Sequence, residues 1–283
     1  MKVIKKNLEV RETLKKVREE NKSIGFVPTM GALHDGHLHL MKESVRNNDY
    51  TVISIFVNPI QFLAGEDLDK YPRDLKNDKK LVESVGVDLI FNPEPEEILG
   101  TNLLTFVDIN KLQDNLCGLS RPGHFRGVCT IVTKFFNIIR PDRAYFGKKD
   151  IQQLYIIKKM TKDLNFDIDI ISCKIIREDD GLAMSSRNKY LSKSERQDAA
   201  IIYKSLKEAV KIIDKREKSA RVIIDAIKKK INEIEYSRVD YVKIVNENME
   251  DIERINKGDI IACAVYFGKT RLIDNYIIGD ELC

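Results

Sequence analysis

The sequence has no tryptophan, only four histidines and five cysteines in 283 residues. The cysteines (Cys117, Cys129, Cys173, Cys263 and Cys283) are odd in number and show no C-x-x-C spacing. That pattern argues against a disulfide framework or a zinc ribbon and fits reduced thiols in a cytoplasm. No apolar run approaches the roughly 18 residues needed to cross a bilayer. The longest, such as Val52–Val57, are strand-length and interrupted by Ser54. The basic start, Met1 to Asn7, is not followed by an apolar signal segment. Charge of one sign is also missing, because 48 Lys+Arg face 44 Asp+Glu for a net +4. A dedicated nucleic-acid binder would concentrate a basic excess, so neither nucleic acid nor membrane is an expected partner. What the chain does have is 43% hydrophobic residues, enough for a real core.

The apolar pattern alternates between strand and helix through the first half. Ser23–Pro28 and Tyr50–Val57 read as strands, the second almost continuously β-branched or aromatic, as in a parallel sheet covered on both faces. Tyr71–Val85 reads as a helix and Val87–Phe91 as a strand. Gly127–Ile139 and Asp150–Asn165 follow as helices, with Arg143–Phe146 and Ile168–Cys173 as strands. Such alternation implies an α/β fold, a doubly wound, Rossmann-like parallel sheet. From Ser192 a capping-box pattern opens a long helix expected to run to about Asp214. Helix Ala220–Ile234 and strands Arg238–Val245, Asp259–Phe267 and Thr270–Ile277 complete a smaller α+β domain. The expected domains are 1–175, catalytic, and 176–283, a possible lid.

Four loops carry the chemistry. The first, Met30-Gly31-Ala32-Leu33-His34-Asp35-Gly36-His37, follows the first of these strands and opens a helix, where a doubly wound fold seats anionic ligands. His34 and His37 share one face of the first turn and are suited to stabilise charge building on phosphate. Taken singly they also read as packing or surface residues. A metal reading lacks the Glu of H-E-x-x-H. His39 falls on another face and is expected to be structural. The second loop ends a strand at Asn58-Pro-Ile-Gln61, whose amides suit a hydroxy acid. Asn58 reads equally as a strand-ending turn. Downstream, Asp78 is a candidate for Mg²⁺ through water, or simply a solvated helix acid.

The third loop, Gly147-Lys148-Lys149-Asp150, lies between strand and helix, with lysines for a polyphosphate and Gly for close approach. The adjacent Gln152 and Gln153 point about 100° apart on a helix, so one of the two is expected to reach a pocket. Upstream, Arg121 and His124 read either as anion ligands or as a basic surface turn. The fourth loop, Met184-Ser185-Ser186-Arg187, places two hydroxyls and a guanidinium just after the last strand of the α/β half.

In this order, PTMGALHDGH, NPIQF, YPRD, RPGHFRGV, RPDRAYFGKKDIQQL and GLAMSSRNKYL resemble the pantothenate synthetase (pantoate–β-alanine ligase) family of the HxGH nucleotidyltransferase superfamily. Met-Ser-Ser-Arg looks like its second nucleotide signature. The resemblance implies condensation of pantoate with β-alanine, with ATP and Mg²⁺, through a pantoyl adenylate, in a homodimer. It implies that Met30–His37 hold ATP, with His37 donating a proton and His34 beside it. Gln61 and Gln153 clamp pantoate with Asn58 nearby, and Arg121 and His124 line the site. Gly147–Asp150, Ile176 and Met184–Arg187 meet the nucleotide. Where the family has Gly-Glu-Lys-Asp this chain has Gly-Lys-Lys-Asp, so register makes Lys149 the phosphate ligand. The family's acidic pair is reduced to Asp78. Two other readings stay open: another HxGH adenylyltransferase, or a non-catalytic nucleotide-binding regulator.

Overall fold

A computed structural model describes residues 1–282; Cys283, expected as a reduced thiol, lies outside them. The chain divides into two compact units. One holds Met1–Asn110, Gly118–Lys148 and Gln153–Cys173, and the other Lys111–Cys117, Lys149–Gln152 and the chain from Lys174 onward.

In chain order the α/β half runs β1 (Lys2–Ile4), α1 (Asn7–Glu19), β2 (Ile24–Thr29), α2 (Asp35–Asn47), β3 (Tyr50–Ile55), α3 (Leu75–Val85) and β4 (Leu89–Phe91). It continues with α4 (Pro95–Leu99), α5 (Leu116–Ser120), α6 (His124–Ile139), β5 (Arg143–Gly147), α7 (Ile151–Asp163) and β6 (Asp169–Cys173). The sheet order is β1-β4-β3-β2-β5-β6, all pairs parallel. The strands β2 and β3 are buried along nearly their whole length, which is why they read as apolar runs without alternation. From β2 the chain winds outward through β3 and β4, then returns to lay β5 on the other side of β2. That reversal opens a crevice at the carboxyl ends of β2 and β5. Phe135 of α6 pins the sheet by taking Phe26, Phe56 and Phe91 edge-on at 5.9, 5.8 and 5.8 Å.

The second unit carries α8 (Lys193–Asp198), α9 (Ile201–Asp214), α10 (Ala220–Ile231) and the antiparallel sheet β7 (Ser237–Val245), β8 (Ile260–Phe267) and β9 (Thr270–Ile277). Its core joins Ile202, Leu206, Ile223 and Ile227 of the helices to Ile261, Val265 and Phe267 of the sheet. The α/β class with a small α+β addition is therefore as the sequence pattern implies.

One expectation changes, and one element was not foreseen. The single helix expected from Ser192 to Asp214 is two helices. Its capping box forms, Ser192 Oγ accepting from the Glu195 amide at 3.3 Å, but Ala199 and Ala200 interrupt it. There the Ile202 amide donates to Ala199 C=O, three residues back, so the turn tightens around two fully buried alanines. The sequence reading passed over α1, although Val10, Leu14 and Val17 recur on one buried face.

Candidate active site

The first loop leaves β2 through a strained turn: Gly31 has φ 82° and Ala32 φ 51°. An alanine does not hold that left-handed conformation without help. The help is Asp78, on the first turn of α3 and 1% exposed. Its Oδ2 accepts the Ala32 amide at 3.0 Å and its Oδ1 the Leu33 amide at 2.9 Å. The fit is close, since a Cβ on Gly31 would stand 2.9 Å from Asp78 Oδ2. The carboxylate expected to reach Mg²⁺ is thus buried and committed to two backbone amides. Among the described residues no group of three or more His, Cys, Asp or Glu side chains could hold a metal ion. The residues present therefore do not fit a protein-held Mg²⁺ at Asp78.

Helix α2 then starts on the histidines themselves. His34 is its N-cap, its Nδ1 accepting the Gly36 amide at 3.2 Å, while the His34 amide donates to His37 Nδ1 at 3.4 Å. The two rings lie with centroids 4.0 Å apart. An Nδ1 that accepts carries no hydrogen, so a neutral ring in either position bears its proton on Nε2. Capping therefore sets the tautomer of both histidines and makes each Nε2 a donor at the positive end of the helix. His34 and His37 are brought together as the spacing implies.

At the end of β3, Asn58 is 3% exposed and serves the backbone more than a ligand. Its Oδ1 accepts the Ile60 amide at 3.2 Å, and its Nδ2 donates to Gly127 C=O at 3.1 Å and to Gln61 Oε1 at 3.0 Å. With Oε1 so occupied, the Gln61 amide is fixed in orientation, and its Nε2 meets Met30 Sδ at 3.0 Å. The expected pantoate clamp thus touches the first residue of the histidine loop.

Arg121 and His124 brace the same glutamine from behind. Arg121 Nε and NH2 make a two-pronged pair with Glu66 at 2.6 and 2.7 Å, and NH1 donates to His124 Nε2 at 3.1 Å. A guanidinium only donates, so His124 carries its proton on Nδ1 and gives it to Gln61 C=O at 2.8 Å. Burial works against the Glu66 charge, but Arg121 overrides it and holds the carboxyl below its usual range. Sequence reasoning missed Glu66 and Gly127. A Cβ on Gly127 would fall 2.3 Å from Ile60 O, so α6 can approach this turn only through glycine. Gly127 in RPGHFRGV was the available signal. The first unit also carries Gly147 and Lys148 at the carboxyl end of β5, and Gln153 in the first turn of α7.

Lys149, Asp150, Ile176 and Met184–Arg187 belong to the second unit. Lys149 Nζ lies 3.9 Å from Asp150 Oδ2. Ile176 C=O accepts the Met184 amide at 2.9 Å, closing a narrow loop whose turn is Gly181 at φ 92°. Ser185 Oγ then accepts the Arg187 amide at 3.3 Å and starts the short helical turn Ser186–Tyr190. Gln152, the other member of the glutamine pair, is 4% exposed and structural. It accepts the Cys117 amide at 2.9 Å and donates to Leu112 and Asn115 C=O at 2.8 Å each.

A parallel doubly wound sheet with an H-x-G-H helix start at its switch point defines the class: an ATP-using α/β enzyme with a nucleotidyltransferase-type site. The model of the pantoate–β-alanine ligase family matches residues 2–277, and the chain belongs to that family. It is 52% identical over 277 residues to a pantothenate synthetase of Clostridium botulinum (strain Kyoto / Type A2), covering 98% of this chain and 99% of that one. The crystal structure of pantothenate synthetase from Thermus thermophilus superposes with TM-score 0.93 at 38% identity, over 98% of this chain and 99% of that one. A pantoate–β-alanine ligase from Francisella tularensis, crystallised with a β,γ-ATP and β-alanine, matches over the whole of both chains with TM-score 0.82 at 32% identity. The activity of the chain is that of its family, the ATP-dependent condensation of pantoate with β-alanine. No helix among the described residues is long and apolar enough to cross a membrane.

Proposed function

We propose that this chain joins its substrates through an enzyme-bound pantoyl adenylate. A pantoate carboxylate oxygen attacks the α-phosphorus of ATP; the new O–P bond forms as the bond to pyrophosphate breaks. The β-alanine amine then attacks the acyl carbon, AMP leaves with the bonding pair, and the amine's proton passes to solvent. Activation is needed because oxide is a poor leaving group and AMP a good one. The protein supplies position and charge stabilisation.

The observation that carries the reading is the histidine pair capping α2 with both Nε2 atoms set as donors. On this reading Met30–His37 hold the triphosphate, His37 and His34 stabilise the oxygens of the reacting phosphorus, and Lys149 and Arg187 neutralise phosphate charge. Gly147, Lys148 and Asp150 complete that contact, with Ile176, Met184, Ser185 and Ser186. Gln61 and Gln153 clamp pantoate, while Asn58, Arg121 and His124 act through Gln61. ATP and β-alanine, the ligands of the Francisella tularensis relative, are the partners proposed here. Mg²⁺ enters with the triphosphate as part of the substrate, since Asp78 is spent on amides. In the test, purified protein with ATP, Mg²⁺, pantoate and β-alanine forms AMP and pyrophosphate; ADP and phosphate instead would defeat the reading.

We also propose a cytoplasmic homodimer. The four described cysteines are unpaired, which supports a reducing location. The homodimer is what the resemblance to the pantoate–β-alanine ligase family implies. Analytical ultracentrifugation giving a monomer at micromolar concentration would refute the dimer.

A further inference from the structure

β9 reads Thr270-Arg-Leu-Ile-Asp274-Asn275-Tyr-Ile277, with an adjacent Asp-Asn pair in its middle. Both are buried, each 3% exposed. A buried polar side chain must have partners, and the partners of these two lie on loops already described. Asn275 Nδ2 donates to Lys149 C=O at 2.9 Å. Its neighbour Asp274 takes Arg177 in a two-pronged pair at 2.6 and 3.1 Å. Arg177 NH1 also donates to Gly181 C=O at 3.0 Å, the turn of the loop that ends in Met184–Arg187. Adjacent residues of a strand point to opposite faces, so one strand reaches two loops from its two sides.

We propose that Asn275 is a positioning residue for the adenylation step, acting through Lys149. The proposal rests on Lys149 as the phosphate ligand. A lysine side chain has four rotatable bonds, and its reach is useful only if its backbone is fixed. Lys149 sits in a short helical turn, Lys148–Asp150, where the residues before α7 make no full helical ladder. Asn275 holds the Lys149 carbonyl of this stretch, and Gln152 just after it holds the 112–117 segment. The Asn275 anchor is itself stiff. Asn275 pairs with Ala262 of the central strand β8, its amide donates to Asp274 Oδ1 at 2.8 Å, and Asp274 is locked by Arg177. A displacement of about 1 Å at a reacting group is enough to cost about a hundredfold in rate. The Asn275 bond is the direct constraint against such a displacement.

The test is a double-mutant cycle with Asn275→Leu and Lys149→Ala, read by kcat and by KM for ATP and pantoate. Asn275→Leu is expected to lower kcat by about tenfold or more in the otherwise native chain, with pantoate KM changed less than about twofold. In the Lys149→Ala background the same substitution is expected to lower kcat less than about twofold, because the group it positions is gone. An equal loss in both backgrounds, or no loss in the native one, overturns the proposal. Near-normal turnover of Lys149→Ala instead overturns the reading of Lys149, and so separates the two failures. Asn275→Ala, which leaves room for a water, runs the same cycle if the leucine variant does not fold, and far-UV circular dichroism reports which is folded.

Discussion

Replacing Asp78 by Asn removes one oxygen and sets an amide NH₂ against a backbone N–H. In the native chain the two carboxylate oxygens accept Ala32 and Leu33 at 3.0 and 2.9 Å in a site 1% exposed. Losing one such bond and leaving its N–H buried costs about 1–3 kcal/mol. Ala32, at φ 51°, adds about 1–2 kcal/mol of left-handed strain that the carboxylate no longer opposes. The two sum to about 2–5 kcal/mol, which falling on the loop rather than on the whole fold is a drop of about 30-fold or more in kcat/KM for ATP. The assay is initial-rate AMP formation over a range of ATP and, separately, of Mg²⁺. The loop-anchor role requires the Mg²⁺ saturation curve to keep its midpoint while turnover falls. A midpoint raised tenfold or more, with turnover restored at high Mg²⁺, would show that Asp78 holds the metal and refute the reasoning. So would turnover within about twofold of the native enzyme, which is smaller than the loss of a single buried bond allows.

Gly127→Ala pushes a Cβ to 2.3 Å from Ile60 O and displaces the turn carrying Gln61; pantoate KM is expected to rise at least about tenfold with ATP KM nearly unchanged, and equal effects on both would contradict it. Burial pushes the thiols of Cys129 and Cys173 up to about 12, so both stay protonated at mildly alkaline pH. Iodoacetamide at pH about 8.5 is expected to leave them unmodified in the native protein by peptide mass spectrometry, and rapid labelling would contradict their burial. The Glu66 carboxyl is held below its usual range in the fold, so its stabilising contribution is complete above the ordinary value of 4.5 and fades as the pH falls through the lowered folded value. The melting difference between native chain and Glu66→Gln is therefore expected to be constant at neutral pH and to shrink only in acid. A difference that stays constant down to pH about 3 would remove Glu66 from the account.

The sheet was legible because buried parallel strands carry apolar runs and the loops between them carry glycines. The four loops stand out in the sequence because doubly wound folds seat ligands at strand ends, and histidines and lysines occur there. What was not legible were the bonds that hold those loops. Asp78 reads as a Mg²⁺ candidate or a solvated helix acid, and its partners lie 45 and 46 residues away in the chain. Asn58 reads as a turn residue or a ligand, and only the packing of α6 shows that it orients Gln61. Arg121 and His124 read either as anion ligands or as a basic surface turn because Glu66, which neutralises the arginine, is 55 residues earlier. The helix break at Ala199 was hidden for another reason. Alanine favours helix, so the tightening there comes from packing and not from propensity. Asn275 and Lys149 are 126 residues apart, yet an adjacent Asp-Asn pair in the middle of a strand was a signal that could have been followed.

The central claim is that the pantoate carboxylate attacks phosphorus before β-alanine attacks carbon. Pantoate labelled with ¹⁸O in its carboxyl group tests this directly, with AMP and pantothenate read by mass spectrometry after a single turnover. An adenylate intermediate delivers one labelled oxygen to AMP and leaves one in the new amide. Unlabelled AMP formed together with pantothenate would contradict the account.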